Sequence, residues 1–423
     1  VRNRKRARAA RCARQLRSAR DRSRALVRCL ASAGIVSVGL ITAIPALALW
    51  DDKVTPFVEE KGAHDDNVFR VPKSADPVSD SYSTTSLGLN LDVPVSRQRF
   101  QGGYTWNATR FNRLTDLDFD GHDAKATWLW QIGNDLSGQL GYTENFALAP
   151  FAYTQSTTPD PLKSRVAFLN GAYLVTPSWR VQAGAGLFEQ MNGDPVFAFN
   201  DLKISSGDVS VSYVTPANTS IGLSNRVEQG RYPNRDFDRD SAAGSPLDDS
   251  YRQYSRGIVA DWTVSGVSHV AARASRVSRR YPNTPQSDFD GNTAVAEYDW
   301  KLTGKLSVTG VIRRDISPFQ DIQSSFVLVK GVTVRPTLNL TEKIDVSGIL
   351  DWGIWYYLGD PGLVTGGTQG RVDHVGLAAA TLSYKPAQRI ALQISAQRES
   401  RSSNIPNADY LANVAYFIAR IAF

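Results

Sequence analysis

The connections in this chain alternate in kind. From residue 54 onward, tight turns at 93–98, 132–136, 176–179, 215–218, 265–268, 303–305, 341–343 and 385–389 are separated by long polar segments such as 147–163, 232–249 and 359–370. A closed antiparallel barrel in an outer membrane has short turns at one end and long loops at the other. A soluble sandwich has no reason to keep the two kinds strictly apart.

Between the connections the pattern has period two, in segments of about ten residues, the length of a tilted strand crossing a bilayer. In 124–132, Ala124, Ala126, Trp128, Trp130 and Ile132 share one face, with Lys125, Thr127 and Gln131 on the other. The segments 305–313 and 389–397 behave alike. A slip of one residue would carry every charge to the lipid side, so the pattern fixes register. Eighteen such segments begin near 54, 80, 97, 122, 135, 164, 179, 202, 218, 251, 268, 291, 305, 324, 343, 371, 389 and 408. The first, 54–65, is the least regular; if it is an extension, the count falls to sixteen. The expectation is an all-β, transmembrane antiparallel barrel, a single domain over 49–423, with both ends in the periplasm.

Aromatic residues mark the short-turn end. Trp130, Tyr173, Trp179, Tyr213, Trp262, Trp300 and Tyr384 each lie close to a tight turn, which is where a girdle at headgroup level belongs. The chain ends on an alternating strand whose apolar face includes Phe417, Ile421 and Phe423. A terminal aromatic strand of this kind resembles the signal read by the barrel-assembly machinery of the outer membrane.

The first 48 residues do not fit the barrel pattern. Residues 1–28 hold twelve Lys/Arg and one acid, Asp21, and 31–48 are apolar and uncharged, ending Pro45-Ala46-Leu47-Ala48. This predicts a secretory signal peptide cleaved after Ala48. Its basic part is over-long, consistent with a start placed too early; Val27 is a candidate for the true one. The segment also explains the charge. The whole chain is +7, but with 36 of its 48 cations and 40 of its 41 acids after residue 48, the remainder is −4. Nucleic acid is therefore not an expected partner. Both cysteines, Cys12 and Cys29, fall in the leader, so the mature chain has none, as suits an oxidising periplasm. Its expected place is the outer membrane of a Gram-negative bacterium, in contact with outer-membrane lipid and lipopolysaccharide.

Alternation assigns Lys125, Arg180, Arg226, Arg273, Arg313, Arg335, Arg420, Asp261, Glu297, Asp299, Asp345 and Asp351 to the lumen. Mixed signs favour pairing between neighbouring strands over a field of one sign. Asp116-x-Asp118-x-Asp120-Gly121 copies the opening of a calcium loop, but its twelfth position is Thr127, not the required Glu. The similar Asp288-Phe289-Asp290-Gly291 predicts a recurrent turn with glycine in the left-handed conformation. No metal site or cofactor is expected. His374 beside Asp373 is the one arrangement that could serve a lipase-like site on the wall; no other grouping resembles a catalytic one, and no enzyme activity is expected.

Several runs carry a resemblance: Asp65-Asp66-Asn67-Val68-Phe69-Arg70-Val71-Pro72, Val93-Pro94-Val95-Ser96-Arg97-Gln98-Arg99-Phe100, Gly133-Asn134-Asp135-Leu136-Ser137-Gly138-Gln139-Leu140-Gly141-Tyr142, Gly230-Arg231-Tyr232-Pro233-Asn234-Arg235, Tyr298-Asp299-Trp300, Tyr357-Leu358-Gly359-Asp360-Pro361-Gly362-Leu363 and Ser403-Asn404-Ile405-Pro406. In order, they resemble the exosortase-associated, EpsL-like outer-membrane proteins of exopolysaccharide biosynthesis. The resemblance implies a barrel that passes a polysaccharide chain across the outer membrane, with periplasmic export components as further partners. It implies no catalytic residues. The alternative is a general diffusion porin for small solutes; an outer-membrane hydrolase comes third.

Overall fold

The computed structural model describes residues 53–423 apart from 155, 218, 236–247, 318–323 and 360–369. The predicted leader, residues 1–48, lies outside the described residues. The strands are β1 (Val54–Asp65), β2 (Asp80–Val95), β3 (Gln98–Phe111), β4 (Phe119–Ile132), β5 (Leu136–Leu148), β6 (Pro161–Thr176), β7 (Trp179–Asn192), β8 (Leu202–Val214), β9 (Ser220–Arg231), β10 (Tyr251–Ser265), β11 (Ser268–Arg280), β12 (Phe289–Lys301), β13 (Leu306–Ser317), β14 (Phe326–Asn339), β15 (Ile344–Leu358), β16 (Val372–Ala387), β17 (Ile390–Ser403) and β18 (Tyr410–Ala422). Each pairs antiparallel with its neighbours in sequence, in one eighteen-stranded sheet.

β1 closes the ring. It pairs with β2 through twelve residues, Val54 to Asp65, and with β18 through Phe57–Asp65 against Ala422–Val414. The sixteen-strand alternative therefore falls: the irregular first segment is a full wall strand. Its irregularity has a local cause, since Phe57 is buried and covers Gly88 of β2, where an added Cβ would lie 2.1 Å from the ring. Closure leaves no strand edge to template aggregation.

Several of the tight turns are built from hydroxyl side chains. Thr303 Oγ1 accepts the Lys305 and Leu306 amides at 3.2 and 2.9 Å, and Thr341 Oγ1 accepts those of Lys343 and Ile344 at 3.2 and 3.0 Å. These are side-chain mimics of a backbone turn. Their lysines brace the next turn: Lys305 Nζ donates to Leu340 O and Lys343 Nζ to Pro386 O.

The long connections are latched differently. In 111–118, Asp118 Oδ1 accepts the Phe111 amide at 2.7 Å, and Arg110 pairs with Asp120 at 2.7 Å. In 281–288, Asp288 Oδ1 accepts the Tyr281 amide at 2.8 Å, and Arg280 pairs with Asp290 at 2.7 Å. The turn recurs as the sequence predicts, but not by left-handed glycine, since neither Gly121 nor Gly291 has positive φ. The carboxylate closes the connection, and Gly291 is needed because the Phe289 ring lies over it, 2.2 Å from where a Cβ would stand.

Candidate functional site: the barrel interior

One face of the wall carries large exposed apolar side chains: Leu87, Tyr104, Trp128, Leu187, Leu223, Ile258, Ile312, Leu350, Trp352 and Ile394, among others. The other face encloses space. A cavity of ≈ 750 Å³ is lined by Asn145, Ala147 and Tyr153 from one part of the wall and by Arg313, Val329 and Trp355 from another. These belong to β5, the short helix Phe151–Thr154 behind it, and β13 to β15. Strands so distant in the sheet share a cavity only across the interior.

The interior is polar and largely paired. Arg313 donates to both oxygens of Asp351 at 3.1 Å, and Thr333 Oγ1 donates to the same carboxylate. Thr309 donates to Asp299 at 2.6 Å, and His269 bridges Asp261 and Asp299 at 3.2 and 3.8 Å. Arg226 lies between Asp208 and Glu228, both at 3.5 Å. Arg180 donates to Ser220 at 3.1 Å, and Lys385 pairs with Asp345 at 3.5 Å. Arg420 pairs with Glu59 at 3.6 Å while covering the Phe57 ring. Across β2 to β5 a hydrogen-bonded ladder runs from Ser86 through Asn107 and Asp123 to Asn145. Among the described residues, Lys125, Arg273, Arg335 and Glu297 have no ion pair, and Arg180 has only its hydrogen bond to Ser220.

Toward the long-connection end the polar groups become buried knots that the sequence reading missed. Arg279 is 1 % exposed and lies over the Tyr251 ring at 3.9 Å, donating to Gln253 at 2.8 Å and to the Tyr281 hydroxyl at 3.3 Å. Tyr232, Tyr251, Tyr281, Phe326 and Leu202 form one apolar cluster around it. Burial pushes the Tyr281 phenol up to about 12. Beside this cluster the Arg235–Asp249 pair is sealed from solvent, and Arg235 Nε donates to Phe199 O at 2.8 Å. A second knot surrounds Asp373, which accepts from Arg371, from Tyr357 at 2.9 Å and from Ser403 at 2.6 Å. A third joins Arg70 to Asp65 and Glu399, both at 2.8 Å. For the first cluster the available signal was an arginine or aspartate two positions from a tyrosine, Arg279 before Tyr281 and Asp249 before Tyr251; the other knots carry no such signal.

The aromatic residues near the tight turns stand on the apolar outer face. Trp179 meets Tyr213 edge-on at 5.6 Å, and Trp300 stacks on Tyr298 at 6.2 Å. Trp130 lies over Gly138 and Gly171, and Tyr173, Trp262 and Tyr384 are exposed there. Phe417, Ile421 and Phe423 form an exposed row on the last strand. His374 and Asp373, being adjacent on β16, face opposite sides of the wall: His374 lies beside the outward Trp352, while Asp373 is consumed by its knot. No lipase-like pairing exists between them. Among the described residues, no group of three or more His, Cys, Asp or Glu could hold a metal ion.

A closed eighteen-stranded antiparallel barrel with an apolar outer face and a polar interior is built as a transmembrane barrel of the outer membrane. Comparison with known proteins gives the particulars. Residues 275–423 match a family model described as "Putative beta-barrel porin 2". Among solved structures the chain is similar to Pseudomonas aeruginosa OpdK with vanillate, at 10 % identity and TM-score 0.48, covering 88 % of this chain and 99 % of that one. It is similar also to OccK2 (OpdF) of the same organism in complex with glucuronate, at 9 % identity and TM-score 0.48, covering 88 % and 99 %. A search of curated proteins gives no match.

These findings overturn the resemblance to exopolysaccharide-biosynthesis proteins: the chain is similar to porins, and the polysaccharide conduit falls with it, as do the polysaccharide chain and periplasmic export components as partners. The physical reason lies in the motifs themselves. Ser96 and Gly133 take positive φ in tight turns. Gly230 lies beneath the Tyr251 ring, Arg235 fills a buried pair, and Asn404 accepts the Val372 amide at 2.8 Å. Such residues build turns and latches, a need common to large barrels whatever they carry.

Proposed function

We propose that this protein is a diffusion channel for small polar solutes. The observation that carries the reading is the enclosed interior cavity of ≈ 750 Å³ between Tyr153 and the Arg313–Trp355 wall. That volume suits a single small molecule and is narrow for a hydrated polymer. Tyr153, on the short helix Phe151–Thr154, lines this cavity and is 41 % exposed. In this reading, the twelve charged residues named from the sequence line the solute path. Most are neutralised by neighbours; Lys125, Arg273, Arg335 and Glu297 are the ones a passing solute meets. Three of those four are cationic, so anions are favoured.

Purified protein in planar bilayers should give stable conductance steps. Liposome swelling should be fast with small sugars and organic acids and fall away for oligosaccharides. A folded protein that never conducts, or one that passes long oligosaccharides as fast as monosaccharides, would overturn the reading.

A further inference from the structure

The outward face of β10 to β15 breaks the apolar pattern of the wall. Arg256 stands directly opposite Arg276, and Arg314 directly opposite Lys330. Asn292 links the two pairs: Arg276 Nη1 donates to its side chain at 3.4 Å, and Arg314 Nε to its carbonyl at 2.8 Å. Lys330 lies over the Tyr356 ring at 4.6 Å. Among the described residues, none of these four cations makes an ion pair, although Arg280 nearby is matched by Asp290. Like charges placed directly opposite each other on a sheet are repulsive, so a row of four cations, in which only Arg276 has a carboxylate nearby, that of Asp290 already paired with Arg280, calls for an external anion.

Immediately toward the short-turn end, one alternation step along each strand, the same face becomes a groove of ≈ 640 Å³. Ala274, Ala294 and Ala296 form its floor; Ile258, Ile312, Val332 and Trp352 form its walls; Arg314 and Lys330 stand at its head. The four wall residues are 44–59 % exposed, so nothing in the chain covers them. Ile312 faces Val332 and Ala296 across the sheet, and Ala274 faces Ile258 and Ala294. With Trp352 beside Val332, the groove runs across six neighbouring strands.

We propose that this face is a binding site for lipopolysaccharide, with a lipid phosphate held by Arg256, Arg276, Arg314 and Lys330 and an acyl chain in the alanine-floored groove. Charge complementarity fixes the head as anionic, and the apolar groove continuous with the hydrocarbon layer fixes the tail. The cations lie near the long connections, which in an outer-membrane barrel are extracellular, so the occupant is the glycolipid of the outer leaflet. The site rests on the barrel's orientation and not on what the lumen carries, so it can fail without the channel reading failing.

The test uses full-length protein extracted from outer membranes in mild detergent, with retained lipopolysaccharide measured by phosphate and sugar-acid assay and by native mass spectrometry. Combined Arg256→Ser, Arg276→Ser, Arg314→Ser and Lys330→Ser substitution should lower retention about tenfold or more while leaving single-channel conductance unchanged. Ala294→Trp, which fills the groove and leaves the charges, should lower it as well. Wild-type protein should bind intact lipopolysaccharide better than the dephosphorylated form, a comparison that needs no variant to fold. Equal retention by the variants, equal binding of the dephosphorylated lipid, or equal retention of phosphatidylglycerol would overturn the proposal. So would efficient cross-linking of an Ala294→Cys variant to a second copy, which would assign the groove to a subunit contact.

Discussion

Asp373 is 0 % exposed and receives a bidentate guanidinium and two hydroxyls, with Arg401 Nε a further 3.6 Å away. Removing its charge takes the central anion out of a buried cluster, which typically costs about 3–5 kcal/mol. Asp373→Asn should therefore lower the denaturant midpoint in lipid vesicles, whereas Lys203→Gln, at an exposed pair, should change it little. Asp160 gives a pH-dependent case. Its Oδ1 accepts the Gly193 and Asp194 amides, both at 3.0 Å, while Oδ2 has no partner, and burial raises its pKa. A raised folded pKa means the proton favours the latched arrangement. That contribution is present at low pH and is lost as pH rises through the folded value, above the ordinary carboxylate range. Opening free energies for the Gly193 and Asp194 amides should fall across that window, and Asp160→Asn should make them flat. Asp160 did not stand out in the sequence, and Asp373 did so only beside His374, because each knot joins side chains from separate strands that one-dimensional periodicity cannot bring together.

At the level of strands and turns, the alternation of apolar and polar residues carries most of the architecture, and its failures are local. The starts of β4 and β6 are read as 122 and 164 but occur at Phe119 and Pro161. The extra residues, Phe119-Asp120-Gly121 and Pro161-Leu162-Lys163, extend the ladder above the lipid layer, where one face no longer has to be apolar. There the pairing survives and the pattern does not. The two Asp-latched connections make a specific prediction. Gly291→Val would drive the Phe289 ring off its seat and force a clash now avoided; overpacking of this kind costs about 1–3 kcal/mol. The same change at Gly310, which has nothing within 4 Å of its Cβ position, should cost less. Unfolding midpoints of the two variants decide it.

For the whole barrel, the lumen and the membrane contact surface make separate demands on one sheet, and substitutions can address each alone. Joint replacement of Lys125, Arg273 and Arg335 by glutamate should shift the reversal potential under a salt gradient toward cation selectivity, with little change in stability because these side chains lack ion pairs among the described residues. An unchanged reversal potential would remove them from the solute path. Removal of Phe423 should slow assembly into the outer membrane, seen as a larger unfolded fraction on unheated gels, if the terminal aromatic strand is what the assembly machinery reads. Fold and compartment were legible because they follow from periodicity and turn length, which are local. Cargo was not, because the interior charges are mostly spent on one another, and the motifs that resembled an exopolysaccharide family serve turns and latches.

β1 and β18 lie side by side, and the Phe423 amide donates to Pro56 O at 2.9 Å. The start of β1 and the last residue are thus neighbours at the same rim as the tight turns. The order in which the eighteen strands are numbered is a property of the polypeptide and not of the ring. A permuted chain, with a short linker joining Phe423 to Lys53 and new ends opened within 236–247, should assemble the same wall and conduct alike.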